Sequence, residues 1–585
     1  MRKIFVCVNT LLLLILFASC KKSNFFDTGV VSELDETAVF ADSARTMSFL
    51  TNIYTQIGFS FNPVQFGNAG LESACDEAEG FSNGGGETFR QFATGVVNAA
   101  NTTPSPWLTC YKNIRAANLF LKKLPGVNMD ATVKSRAKGE ARFLRAWYYS
   151  ILLKHYGGVP IVGDTVFKAD DNVDLARNTY AECVNYILAE CDAAATYLPP
   201  TRDAAFLSRV TIGACQALKA RVLLYAASPL FNEGNIGGEL TGFTTIDPNR
   251  WKRAANAAAQ VIQSGTYSLL QIDAQTDSVS KIPGHAFKYL FTIAGGASPN
   301  FEFIFFKAGV PGTQEFENLW LPPSRGATRH AWPYHEMAEA FGMNNGLAIT
   351  DPSSGYDPKN PYKNRDPRFD NSILYNGQRI YRMFDASNFG YDPVYTYADA
   401  PSGDGYGKGT PTGYYINKML DDRQVPNNPY WGTLHDYALI RYAEILLNFA
   451  EAKNEYDGPG GFNDSVYHCL RLIRQRAGIL PGADSSYGVK PGLSQQQMRE
   501  VIRQERRVEL AFESHRFWDV RRWKIAEQTE NKMMHAMKIT KQANSNYTYE
   551  RVPLIKHSFN TAMYFWPLPL SELAKSRKLR QNPGY

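Results

Sequence analysis

Apolar and polar positions along the chain follow three different regimes. Between residues 137 and 155, Ala137, Ala141, Leu144, Tyr148, Ile151 and His155 recur at steps of three and four, which lays one continuous apolar stripe along a helix. Gly157-Gly158-Val159-Pro160 stops it, because glycine accepts a C-terminal cap conformation and proline cannot continue a helix. The same period predicts helices at about 45–57, 107–124, 179–197, 209–228, 249–264, 434–456, 463–477 and 495–527. Ala214, Ala217 and Ala220 place small residues where a neighbouring helix must approach closely. Such segments predict a mainly α fold of paired, tetratricopeptide-like helices.

From 270 to 433 the helical period fades, except around Glu336 to Phe341. Short strand-like runs take its place at Phe301 to Phe306, Gln378 to Phe384 and Tyr414 to Met419, bounded by Gly, Pro, Asn and Asp. Residues 320–431 carry 23 of the chain's 76 Gly and Pro and 15 of its 41 Tyr and Trp, well above their share by length. The expected organisation is therefore one compact body. An N-terminal helical part covers 45–269, a loop-rich, partly β insertion 270–433, and a C-terminal helical part 434–585.

The third regime is the N-terminus. Arg2 and Lys3 precede a 14-residue apolar run from Ile4 to Phe17, followed by Ala18, Ser19 and Cys20. That run falls short of the roughly 20 residues a bilayer requires, so residues 1–19 read as a cleaved secretory signal. Cys20 stands where a bacterial lipobox places its acylated thiol, with residues 20–44 as anchor and linker. Acyl chains would hold a soluble body to a membrane by about 0.8 kcal/mol per buried CH₂. An ordinary signal with an incidental Cys20 is the alternative.

A net charge of +6 over 585 residues with 44% hydrophobic content excludes a disordered chain and gives no basic excess of the kind nucleic acid demands. Six cysteines remain beyond Cys7 and Cys20: Cys75, Cys110, Cys183, Cys191, Cys215 and Cys469. Cys183 and Cys191 share a predicted helix, where eight residues separate them by about 12 Å, too far to bridge. The chain has no C-x-x-C and no Cys/His cluster of zinc spacing, so neither a metal nor a cofactor is expected.

Candidate chemistry centres on carbohydrate, whose apolar C–H faces stack on rings while polar side chains take the hydroxyls. Trp320, Trp332 and Tyr334 lie within 15 residues of one another, interleaved with Arg325 and Arg329, and are expected to form such a surface. The bland alternative is that these rings pack the loop onto the helical body. Pro429-Tyr430-Trp431 is a second, weaker cluster. The run Asp76 to Glu87 has the length of a calcium loop, but Ala78, Gly80 and Phe81 stand where ligands and glycine belong. It is read as a loop offering Asp76, Glu77 and Asn83 to hydroxyls, or as a solvated turn. Gly403 to Gly409 lacks the spacing and the Ser or Thr of a phosphate cradle and reads as a mobile loop. G-x-S-x-G and H-E-x-x-H are absent. Glu505, Glu509 and Glu513 fall at steps of four among arginines. Ion-paired carboxylates have lowered pKa values unsuited to a general acid, so this run reads as a structural ion network.

Several segments together resemble the SusD/RagB family of outer-membrane glycan-binding lipoproteins of Bacteroidetes. They are Gly139-Glu140-Ala141-Arg142-Phe143-Leu144-Arg145-Ala146-Trp147-Tyr148-Tyr149 with Gly157 to Pro160, and Asn364-Arg365-Asp366-Pro367-Arg368-Phe369. Leu439 to Leu447, Arg503 to Trp518, Pro567-Leu568-Pro569 and Asn582-Pro583-Gly584-Tyr585 complete the set, in order along the chain. The resemblance implies four tetratricopeptide-like helix pairs with a large irregular region, a lipid anchor on the cell surface and a glycan site built from loop aromatics. It also implies a SusC-like TonB-dependent transporter as partner, to which oligosaccharide passes uncut, so no catalytic residue is expected. An exported helical glycoside hydrolase and a helix-repeat scaffold that binds only protein are the rival readings.

Overall fold

The computed structural model describes residues 36–585 except 62–64, 66–68, 83–86, 103–104, 169–170, 172, 203–207, 234–235, 272–282, 293–300, 310–318, 328–330, 382–390 and 421–435. Cys20 and the predicted signal therefore lie outside the described residues, as do Asn83, Arg329 and the Tyr430-Trp431 cluster. No helix among the described residues is long and apolar enough to cross a membrane.

Among the described residues six helices of twelve residues or more fill the N-terminal part: α1 (Ser43–Tyr54), α2 (Pro106–Lys123), α3 (Ala131–Tyr156), α4 (Tyr180–Ala195), α5 (Ile212–Ala227) and α6 (Asn249–Gln263). Each packs on the next in sequence, and α6 packs directly on α7 (Tyr442–Asp457), so the helical array runs straight across the insertion. The array continues through α8 (Ser465–Arg476) and α9 (Gln495–Glu509), both of which lie against α7.

Local chemistry explains these boundaries. Asp130 caps α3 by accepting from the backbone N–H groups of Thr132 and Val133 at 2.8 and 3.0 Å, and Gly157 closes it at φ 78°. Gly139 sits where α3 meets the end of α4; a Cβ there would stand 2.9 Å from the Tyr197 Cβ and 3.0 Å from the Ala194 carbonyl oxygen. Thr179 and Glu182 form a capping box at the start of α4. Ala214, Ala217 and Ala220 of α5 are fully buried, which lets α4 and α6 approach. Buried ion pairs then fix the register: Arg145 of α3 donates to Glu190 of α4 at 2.7 and 3.0 Å, and Arg221 of α5 to Glu444 of α7 at 2.5 and 2.7 Å.

Strands are short and paired by twos, all antiparallel. They are β1 (Ala78–Gly80) with β3 (Ala331–Pro333), β2 (Phe303–Lys307) with β8 (Tyr437–Arg441), β4 (Ile373–Leu374) with β7 (Tyr415–Ile416), β5 (Arg379–Tyr381) with β6 (Tyr391–Pro393), and β9 (Met533–Lys541) with β10 (Tyr547–Lys556). One core lies among the helices. A second lies in the loop-rich lobe, where apolar residues between Phe287 and Leu420 are joined by Ala78, Val508, Ala511, Phe512, Met537 and Ile539.

Three expectations are corrected. The helix expected from 434 starts only at Tyr442; residues 437–441 are extended and pair with β2. The helix expected over 495–527 ends at Glu509, and Phe512 and Ser514 adopt φ 58° and 61° before a short helix resumes at Arg516. Gly403 to Gly409 is a packed turn, not a mobile loop: Lys408, Gly409 and Thr410 donate their backbone N–H groups to the Gly405 carbonyl, and the Tyr415 hydroxyl donates to that of Asp404 at 2.9 Å.

Candidate functional site

The rings expected to form a stacking surface are core residues of the lobe. Trp320, Trp332 and Tyr334 are only 1, 5 and 1% exposed. Trp332 lies in β3 opposite Glu79 of β1, its ring edge-on to Phe81 at 6.3 Å. Tyr334 donates its hydroxyl to Glu79 at 2.8 Å and contacts the His557 ring nitrogen at 3.0 Å. Burial and the Glu79 charge raise its pKa well above the ordinary phenol value. Arg325 is buried too and donates to the Ser324 hydroxyl at 2.8 Å. The alternative reading, rings that pack the loop onto the body, is the one the geometry matches, because large apolar faces gain most by leaving water.

Asp76 and Glu77 do not face solvent either. The Arg516 guanidinium grips Asp76 at 2.7 and 2.9 Å, with Arg507 at 3.1 Å. Burial would raise its pKa, but the two guanidinium groups hold it far below the usual carboxylate range. Glu77 accepts from the Phe512 N–H at 3.3 Å, and burial, with little compensation, pushes its pKa up to about 8. The two acids thus tie the start of the lobe to the turn after α9, and neither is open to solvent.

The run from Arg503 to Trp518 is the structural ion network expected of it. Glu509 takes three guanidinium groups, from Arg441 at 2.7 Å, Arg368 at 3.0 Å and Arg476. Glu505 pairs with Arg368 at 2.6 Å and Arg474 at 2.7 Å, and Glu513 with Arg441 at 2.7 Å and Lys418 at 2.6 Å. Glu302 joins from β2's edge through Arg441 and Arg476 at 2.9 and 2.8 Å. Burial opposes ionisation of Glu509, yet Arg476, Arg441 and Arg368 bring it down to about 2. A carboxylate so held cannot deliver a proton to a glycosidic oxygen near neutral pH. Among the described residues no group of three or more His, Cys, Asp and Glu side chains could hold a metal ion. The six cysteines Cys75, Cys110, Cys183, Cys191, Cys215 and Cys469 are unbridged and buried.

What the lobe does present is a chain of tyrosines that the aromatic count did not resolve into positions. Tyr375 stacks on Tyr362 with centroids 4.3 Å apart, and Tyr362 meets Tyr549 edge-on at 5.5 Å. Two residues along the same face of β10 stands Tyr547, 5.7 Å from Tyr397, which is 5.6 Å from Tyr395. Tyr362, Tyr375, Tyr395, Tyr547 and Tyr549 are half-buried and Tyr397 lies beneath them. The signal for this surface was the β9–β10 hairpin, legible as two alternating runs around Asn544-Ser545-Asn546.

The chain matches two family models. Residues 41–224 match one described as "starch-binding associating with outer membrane", and residues 306–585 match the SusD family itself. A SusD-like protein of Formosa agariphila is 23% identical over 492 residues, covering 82% of this chain and 80% of that one. Among solved structures, a SusD-like protein of Bacteroides fragilis is 26% identical with a TM-score of 0.73, over 94% of this chain and 99% of that one. A laminarin-binding SusD-like protein shares the fold at 19% identity and a TM-score of 0.61, over 93% of this chain and all of that one. With both ends of its length matched in order, and with the ion lattice that carries its strongest motifs in place, the chain belongs to the SusD-like family.

Proposed function

We propose that this protein is a non-catalytic glycan receptor, held by an acylated Cys20 at the outer surface of an outer membrane, which hands oligosaccharide uncut to a SusC-like TonB-dependent transporter. Family membership carries this reading. Solved proteins of the same fold are named for laminarin binding and for surface glycan binding, and the family model over residues 41–224 is described by starch binding and outer-membrane association. The ion lattice supports it from the other side, since the densest carboxylate array is neutralised by arginines and held at low pKa. Binding would be weak per contact, because each hydroxyl exchanges water for a protein partner at a net gain of about 1 kcal/mol.

The test is native electrophoresis of the purified protein through gels containing laminarin, soluble starch or xylan, with product analysis of the same mixtures. Retardation without any released oligosaccharide is the expected result. Hydrolysis that disappears on changing one carboxylate would establish the enzyme instead. Anchoring is read separately: a Cys20→Ala variant should lose radiolabelled palmitate, and co-purification from membranes should bring down a β-barrel transporter.

A further inference from the structure

We propose that a cavity of about 30 Å³ at the junction of α3, α4 and α5 binds one inorganic monoanion of halide size, held by the Lys154 ammonium and the Arg221 guanidinium. The site lies in the helical body and is independent of the glycan-receptor reading.

Charge balance comes first. Around this junction the buried guanidinium groups are matched to carboxylates: Arg221 to Glu444 at 2.5 and 2.7 Å, Arg506 to Asp519 at 3.1 and 3.2 Å, and Arg522 to Glu451 at 2.8 Å. Three cations thus meet three carboxylates, and Lys154 is left over. Among the described residues its ammonium makes no hydrogen bond and no ion pair. It lies instead over the rings of Phe61 and Trp518, 4.7 and 4.8 Å from their centroids. Ring faces return only part of what an ammonium loses on leaving water. Burial and the Arg221 charge accordingly bring the Lys154 pKa down to about 7, and the opposing field of Glu444 is already spent on Arg221. His155, the next residue, stays neutral, because burial and Lys154 hold its pKa well below the ordinary value. The junction is therefore one negative charge short whenever Lys154 is protonated.

The cavity has the sign and the size to supply that charge. Phe61, Trp147, Ile151 and Val222 give it apolar walls, and no Asp or Glu among the described residues lines it. Larger cavities differ. One of about 340 Å³ sets Asp351, Asp366 and Glu505 beside its cations, and one of about 580 Å³ sets Asp171 and Glu572, so neither selects an anion. Tyr180 and Tyr225 also line the small cavity, and neither hydroxyl makes a hydrogen bond among the described residues. Burial raises both phenol pKa values, so each keeps a proton to donate. A volume of about 30 Å³ holds about one or two water-sized occupants, which admits a halide and excludes sulfate, phosphate or a sugar. Lys154, Arg221 and Tyr225 are each partly exposed, which leaves a way in from solvent.

The experiment melts the full-length protein in detergent, just below neutral pH, in sodium chloride, sodium bromide or sodium gluconate at equal ionic strength. An ion that binds only the folded chain raises the melting temperature, so the parent should melt about 1–3 °C higher in either halide than in gluconate, with a saturating dose response. Lys154→Met should keep the shift common to all three salts and lose the difference between them. Crystals of the parent grown in bromide give a reading that needs no variant: an anomalous peak is expected in the cavity, beside Lys154 and Arg221. If the parent shows neither a halide-specific shift nor a peak, water fills the cavity and the proposal falls. It falls too if the halide shift survives in Lys154→Met, which would place the ion elsewhere. A peak without any shift in melting is binding at crystal concentration only, and also counts against it.

Discussion

In the helical body many of the largest fully buried side chains carry charge, Arg145, Arg441, Arg506 and Arg522 among them, whereas the lobe buries rings such as Trp320, Trp332, Tyr414 and Tyr415. The two interiors specify structure differently. A guanidinium buried against carboxylates is worth keeping only if every donor finds its acceptor, so the body tolerates one helix register. Aromatic faces are less directional and gain roughly in proportion to the area removed from water, so the lobe can wrap irregular backbone around them. The lesson is that a high aromatic count in loops does not by itself mark a binding face; burial has to be known ring by ring.

The contrast can be broken most forcefully from the charged side. Glu509→Ala leaves the guanidinium groups of Arg441, Arg476 and Arg368 facing one another in the core, and a loss of about 3–5 kcal/mol is expected for one missing partner of a buried pair. Urea unfolding should show a variant that is barely folded or not folded at all. An isosteric Glu509→Gln exchange, which keeps shape but not charge, should fall short of full rescue.

Trp332→Ala tests the ring side. A buried tryptophan reduced to alanine costs about 3–5 kcal/mol, here somewhat less because the site adjoins the half-buried Phe81 and can collapse. Thermal unfolding is the measurement. A variant that melts like the parent would mean that this ring is exposed in solution after all.

A smaller and more selective handle is pH. Folded Glu77, with its pKa pushed up to about 8, keeps a proton that the unfolded chain releases near 4.5. Its contribution is therefore complete below pH 4.5 and fades as pH rises toward 8, on the order of a few kcal/mol at about 1.4 per pKa unit. Glu509 and Glu451, held at about 2, act with the opposite sign: their contribution is full above 4.5 and is lost as pH falls toward 2. Lys154, its pKa lowered by burial to about 7, opposes Glu77 on the alkaline side, so the difference between parent and Glu77→Gln isolates the carboxyl. Because the amide mimics the protonated carboxyl and does not titrate, the two should be closest near pH 5, and the parent should fall steadily further below the variant toward pH 8.5.

The least effect belongs to a helix end in water. Asp130→Ala removes the cap of α3 and should cost about 1 kcal/mol by urea titration, with no change in the slope of the transition.

These regions also differ in how far the chain announces them. Helix α3 was plain because its stripe is continuous and both ends carry their own signals, Asp130 and Gly157. The break after Glu509 was not, since Phe512 and Ser514 in left-handed backbone leave no composition signal, and Glu505, Glu509 and Glu513 read as one helix face. Leu439-Ile440 suits strand and helix equally, and only pairing with Phe303 to Lys307 decides it. In the lobe no period separates a ring that faces inward from one that faces water. Trp320 and Tyr547 look alike until the backbone around them is in place, although the alternation of the hairpin that carries Tyr547 and Tyr549 is itself readable.

The carboxylate of Glu302 reaches Arg441 and Arg476, partners 139 and 174 residues further along, and Arg368 waits for Glu505 and Glu509 across 137 and 141. A ribosome or secretion channel delivers the N-terminal end first, so for a long interval the lobe exists with its acids and bases unmatched. Closing such distant loops is slow, and the last strand of polypeptide to emerge acts as the keystone. Chains truncated anywhere before Glu513 should therefore persist as aggregation-prone partial folds, which makes the final quarter of the gene decisive for yield.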